Sequence, residues 1–275
     1  DVLHFYTKTD QYTHRPVFRP YLQGHIDMYF KHEDSRGRYW TNSLTGAGVR
    51  NGESGNPWRG FNPTTKGRHW AIPSSLVEPF GIDPELRTLE KLEALYQAGA
   101  IELPKHGSDA MPTYKQYAKD SPGMPLQDIW AYQPHTHGVL FNSEECIDED
   151  VRWLTSHGDS ERLGYQTQKP LGLLERIIKS SSDQGDTVLD PFCGCGTTIH
   201  AAQRLNRSWI GIDITHLAVN LMEHRLEAFE GVQYQVHGIP VDLEGARKLA
   251  TYDKYEFQWW AGRLVNATPY GGKKK

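Results

Sequence analysis

The sequence predicts an α/β fold built on a parallel sheet, and three observations carry that reading. The β-branched and apolar run Thr187-Val188-Leu189 leads through Asp190-Pro191-Phe192-Cys193-Gly194-Cys195-Gly196 into Thr197-Thr198, which reads as a strand, a glycine-broken turn and a helix start. A second apolar strand, Trp209-Ile210-Gly211-Ile212, closes on Asp213, nineteen residues beyond Gly194. Helical stripes flank both: Leu173, Leu174, Ile177 and Ile178 before, and Ala218, Leu221, Met222, Leu226 and Phe229 after. Strands and helices that alternate in this way stack as a parallel sheet with helical crossovers.

The turn between the first strand and its helix reads as a nucleotide cradle. Gly194 and Gly196 let the backbone turn sharply and approach a ligand without an intervening Cβ. Asp213 stands about where a doubly wound fold places the acid that holds a ribose. The third glycine of the dinucleotide pattern is replaced by Ile199, which disfavours a pyrophosphate-bridged ligand. A carboxylate, Asp190, and an aromatic ring, Phe192, at the mouth suit a cationic, adenine-bearing ligand, and S-adenosylmethionine answers that description.

At these residues a family resemblance is visible. Asp190-Pro-Phe-Cys-Gly-Cys-Gly-Thr-Thr198 resembles motif I of the amino-group DNA methyltransferases, which act on N6 of adenine or N4 of cytosine. Ser160-Glu-Arg-Leu-Gly-Tyr-Gln-Thr-Gln-Lys-Pro170 resembles their motif X, and it precedes motif I as in the β-type motif order. The resemblance implies a Rossmann-like methyltransferase sheet with a large irregular target-recognition insertion. It implies that Thr167, Lys169 and Pro170 flank the methionine end of S-adenosylmethionine, that Asp190 holds its amino group and that Asp213 holds its ribose. Phe192, Gly194, Gly196 and Thr197 complete the expected cofactor set. The corresponding organisation is 1–30 for the end of the catalytic-half strands, 31–159 for target recognition, 160–232 for the cofactor half and 233–275 for a C-terminal extension that leads toward a nuclease-like domain.

No catalytic residue is assigned. The family's catalytic motif is an Asp, Asn or Ser followed by Pro-Pro and an aromatic residue, and no Pro-Pro occurs in this sequence. That motif matters because the target amine is delocalised into its ring and needs acceptors for its hydrogens, while the aromatic residue stacks on the extruded base. Asn56-Pro57-Trp58 offers a superficial match and reads better as a turn. The alternating run Val2 to Lys8 favours a strand, and the resemblance implies that the catalytic segment precedes residue 1.

Between Gly37 and Trp70, Arg38, Arg50, Arg59 and Arg68 interleave with Tyr39, Trp40, Trp58 and Trp70 among many Gly and Asn residues. A long structured loop with these side chains suits phosphate contact, base-edge bonding and stacking. Two readings stand side by side: the four arginines touch DNA, or the tryptophans pack on the core and the arginines are solvated. Farther on, Leu89, Leu92, Leu95 and Tyr96 with Gly99 behind them predict an amphipathic helix over Leu86 to Ala98.

The net charge of −4 argues against indiscriminate nucleic-acid binding, yet Arg36 to Arg68 holds six Lys or Arg residues against the single acid Glu53. Three cysteines form no disulfide framework, which points to a reducing, intracellular setting. Cys193 and Cys195 read either as reactive thiols at a helix start or as small residues wanted for space. His135, His137, His157 and Cys146 match no zinc spacing, so no metal is expected. No run is long and apolar enough for a membrane span. A further helix is expected around Ala246 to Ala250, followed by the aromatic run Tyr255 to Ala261 and a solvated lysine tail at 273–275. The resemblance further implies double-stranded DNA as partner, a homodimer, a linked or separate restriction nuclease, and a prokaryotic cytoplasmic, nucleoid-associated location. The alternatives kept open are a non-catalytic DNA- or cofactor-binding fragment, and an RNA or small-molecule methyltransferase.

Overall fold

A computed structural model describes residues 2–105, 107–155, 159–265 and 267. His157 and the lysine tail lie outside the described residues. The chain divides into two compact units, one of 18–124 with 137–145 and the other of 1–17, 125–136 and 146–275.

The first unit contains β1 (Phe18–Arg19), α1 (Gln23–Tyr29), β2 (His32–Asp34), β3 (Gly37–Ser43), β4 (Thr45–Ala47), β5 (Arg68–Trp70), α2 (Ser74–Val77), α3 (Thr88–Gln97), β6 (Ile101–Glu102) and β7 (Thr113–Tyr117). The short β8 (Met124–Pro125) lies where the first stretch of this unit ends at Met124. Four of these strands form an antiparallel sheet in the order β2-β3-β7-β6, with Tyr39 opposite Tyr117 and Ile101 opposite Tyr114. The expected helix is α3. Its Leu92 and Leu95 are fully buried against Leu44, Trp58, Trp70 and Ile101, and Ala100 N–H returns to Leu95 O beyond its end. The Gly37 to Trp70 segment is therefore more regular than a long loop, because β3, β4 and β5 run through it and two of its tryptophans anchor the core.

The second unit contains α4 (Leu171–Ser181), β9 (Thr187–Asp190), α5 (Thr197–Arg204), β10 (Ser208–Gly211), α6 (His216–Leu226), α7 (Leu243–Tyr252) and α8 (Lys254–Leu264). Strands β9 and β10 pair in parallel, Thr187 with Ser208 and Asp190 with Gly211, and α5 is the crossover between them. Val188 and Trp209 point to one face, where Ile178 of α4 and Ala201 and Ala202 of α5 cover them. The opposite face presents Leu189 and Ile210, 58% and 53% exposed.

Residues 2–17 carry no helix or strand, so the expected strand at Val2 to Lys8 is not formed. Alternation alone cannot make a strand, which needs a ladder partner, and no described residue pairs with this run. The segment is tied down later, where Arg15 N–H reaches Ser180 O and its guanidinium grips Asp183.

Candidate functional site: two carboxylates at the ends of a parallel strand pair

Strand β9 delivers Asp190 to the top of the sheet, and local bonds fix its carboxylate. Oδ1 accepts the Phe192 N–H at 3.0 Å, and Oδ2 accepts the Thr198 hydroxyl at 2.6 Å. Asp213 follows β10 by two residues. Its Oδ1 accepts both the N–H and the hydroxyl of Thr215, each at 3.0 Å, and its Oδ2 accepts the Gly194 N–H at 2.9 Å. The second carboxylate thus ties its own strand end to the glycine turn.

The turn needs its glycines for both conformation and space. Gly194 and Gly196 both have positive φ, +51° and +75°. A Cβ on Gly194 would come within 2.9 Å of the Tyr165 ring, and one on Gly196 within 2.4 Å of Met222 Cγ and 3.2 Å of its Cα. The Ile199 substitution also has a structural answer. A Cβ on Gly211 would lie 2.9 Å from Ile199 Cδ1, so the glycine that lets helix and strand approach sits on β10 and not on α5.

Thr167 and Lys169 are exposed, and Lys169 Nζ donates to Thr167 O at 3.1 Å. Pro170 is the extended residue that precedes α4. The loop holding them is braced by residues the sequence reading did not single out. Gln168 accepts the Leu163 N–H and donates to Glu161 O, while the Glu161 carboxylate accepts the Leu171 N–H that opens the helix. A carboxylate placed before a helix whose first N–H groups lack partners was the available signal.

Phe192 is 88% exposed at the mouth of the turn, and Ile214 is 95% exposed beyond the other strand. Thr197 is turned the other way: its hydroxyl is buried and receives Arg225 Nη2 at 3.3 Å, so its side chain faces the interior. Thr198, one position on, is the hydroxyl that faces the site. Cys193 is buried beside Met222 and Ile212 O, and burial, with Asp190 and Asp213 nearby, pushes its thiol up to about 12. A thiol so disposed stays protonated, which removes Cys193 as a reactive residue and leaves the space-filling reading.

The four candidate DNA-contacting arginines have different surroundings. Arg38 donates to Asp27, Phe30 O and Ile26 O. Arg59 pairs with Glu93 through two N–H groups and lies 4.0 Å over the Tyr96 ring. Arg68 donates twice to Thr45. Arg50 is exposed and has no side-chain hydrogen bond or ion pair among the described residues. Asn56-Pro57-Trp58 is not an open centre, since Trp58 is buried with its indole N–H on Glu93 and Asn56 O accepts the Trp70 indole N–H.

A family model described as DNA methylase, N6_N4_Mtase, matches residues 7–224. The type II methyltransferase M.EcaI of Enterobacter cloacae is 31% identical over 226 residues, which cover 82% of this chain and 41% of that protein. M2.DpnII of Streptococcus pneumoniae, another type II methyltransferase, is 52% identical over 106 residues, covering 38% of this chain and 32% of its own length. The chain therefore spans about two fifths or less of these relatives. Among solved structures, the crystal structure of M1.HpyAVI matches 23% of this chain and 32% of its own at 41% identity, with a TM-score of 0.22. With most of its residues inside one family match, this chain belongs to the N6_N4_Mtase family of DNA methylases.

Proposed function

We propose that the chain is the cofactor-binding and target-recognition portion of a site-specific DNA methyltransferase that transfers a methyl group from S-adenosylmethionine to the exocyclic amine of adenine or cytosine. The observation that carries this reading is the pair of carboxylates, Asp190 and Asp213, fixed at adjacent strand ends around the Gly194 to Gly196 turn.

The donor set fits the cofactor. An ionised carboxylate offers about four acceptor positions. Asp190 uses two on protein groups and keeps one on each oxygen for an ammonium, as expected for the amino group of the methionine moiety. Asp213 uses three, two on Oδ1 and one on Oδ2, and so keeps one position on Oδ2 for a ribose hydroxyl. Phe192 and Ile214 supply exposed apolar surface for the purine, and Thr167, Lys169 and Pro170 belong to the methionine end. The cofactor, when bound, supplies an electrophilic methyl group. The chain's own part is to hold its two ends with carboxylates that are pre-positioned and need no reorganisation.

On the same reading Arg50 is the leading DNA contact among Arg38, Arg50, Arg59 and Arg68, and the family resemblance alone favours adenine N6 as the target. A modification or restriction-modification setting follows, with a restriction nuclease as linked or separate partner, a homodimer as assembly, and a prokaryotic cytoplasmic, nucleoid-associated location. No helix among the described residues is long and apolar enough to cross a membrane.

The reading is tested by measuring S-adenosylmethionine and duplex DNA binding for the parent chain and for Asp213→Ala. The expected result is loss of cofactor binding with DNA binding retained; equal loss of both, in a folded variant, would contradict the ribose assignment.

A further inference from the structure

A cleft of about 350 Å3 opens in the second unit beside the start of α4. Trp153, Arg162, Tyr165, Gln166, Gln168 and Lys169 line it, four apolar residues complete it, and no acidic side chain does. That composition departs from a chain whose net charge is −4. Small-ligand pockets start at roughly 300 Å3, so the space suits one nucleotide.

Its walls are built rather than incidental. Trp153 is 66% exposed, and an edge contact from Tyr132 at 5.7 Å holds its ring. The neighbouring Arg152 is locked onto Asp159 at 2.6 Å, whose side chain is almost wholly buried. Arg162 and Lys169 each bond a backbone carbonyl, of Thr155 and Thr167, and no carboxylate pairs with either among the described residues. The arginines Arg36, Arg38 and Arg59 of the first unit, by contrast, are all ion-paired. Tyr165 joins the cleft to the cradle, since the same ring abuts the Gly194 turn.

An exposed indole face, the Arg162 cation and the Gln166 amide, without acids, are suited to an anionic backbone bearing stackable rings, while Lys169 and Pro170 mark the side where the cleft meets the methionine end of the cofactor site. An enzyme that works on a base must take it out of the helix, and it then meets the flanking nucleotides of the same strand beside the reaction centre. We propose that this cleft holds the nucleotide that flanks the base to be methylated on the same DNA strand, with Trp153 stacking on its base and Arg162 on its phosphate. The proposal rests on the reading of the chain as a DNA methyltransferase portion.

The test is anisotropy of a labelled single-stranded oligonucleotide and of its duplex, titrated with the full chain and with Trp153→Ala, Trp153→Phe and Arg162→Gln, alongside calorimetry with S-adenosylmethionine. Trp153→Ala should weaken single-strand binding about tenfold, and Trp153→Phe should recover most of it. Arg162→Gln should reduce the slope of log affinity against log salt by about 0.7. Cofactor affinity should not change in any of them. Unchanged single-strand binding in all three variants would overturn the proposal alone, as would a loss of cofactor affinity without a loss of DNA binding, which would assign the cleft to the cofactor. A parent chain that binds neither DNA would overturn the DNA reading with it.

Discussion

In the first unit Leu92 and Leu95 of α3 are fully buried and three of the four candidate arginines are consumed in internal bonds, whereas in the second unit β9 and β10 are covered on one face only. Parallel strands ordinarily bury both faces, yet Leu189 and Ile210 are more than half exposed. The contrast separates two uses of polar groups. In the first unit the candidate arginines are spent on carboxylates, a hydroxyl and backbone carbonyls that hold antiparallel strands and loops together. In the second, backbone N–H groups and hydroxyls hold the carboxylates Asp190 and Asp213 and leave their remaining lone pairs open to a ligand.

The strongest way to break that contrast is a pair of truncations. Leu92→Ala should lower the stability of the first unit by about 2–5 kcal/mol, because it removes a fully buried side chain. Leu189→Ala should change stability by no more than about 0.5 kcal/mol. Denaturant unfolding compares them, and equal losses would mean that the open face is covered in solution. Next in size is Gly196→Ala, expected to cost about 1–3 kcal/mol, since its φ is positive and its Cβ would meet the Met222 side chain with the Met222 Cα close behind.

A subtler pair sharpens the comparison of charges. Arg50→Gln should leave the melting temperature unchanged while reducing the slope of log DNA affinity against log salt by about 0.9, as loss of one phosphate contact requires. Arg59→Gln should do the reverse, lowering the melting temperature with the slope kept, because its guanidinium belongs to Glu93.

The smallest expected effect is in acid. The Arg59 guanidinium holds the Glu93 carboxyl at about 2 instead of 4.5, and Arg152 holds Asp159 at about 2 instead of 3.8. Both are depressed on folding, so their contribution is complete above the ordinary values and is lost as pH falls toward 2. Melting temperature measured from pH 6 to pH 2 should fall through that window, and Arg59→Gln should flatten the part above pH 2 that Glu93 supplies.

Much of the second unit was legible in the sequence because its signals are local. The apolar strands, the two glycines and Asp213 occupy one short stretch, and each helix announces itself by spacing. What was not legible depends on rotation or on distance. Thr197 and Thr198 are chemically identical neighbours, and one helical step turns the first hydroxyl into the core and the second toward Asp190. Ile199 made sense only once Gly211 was opposite it. The fate of Arg59 was set by Glu93, thirty-four residues away, and pattern reading cannot see such partners. Val2 to Lys8 alternates like a strand, but alternation specifies a face and not a partner.

The most direct test of the cradle is calorimetric titration of the chain with S-adenosylmethionine, repeated with Asp190→Ala. The account predicts saturable binding by the parent chain that the substitution abolishes while the variant remains folded. Undiminished binding by Asp190→Ala, or none by a well-folded parent chain, would contradict the assignment of this carboxylate and its glycine turn to the cofactor.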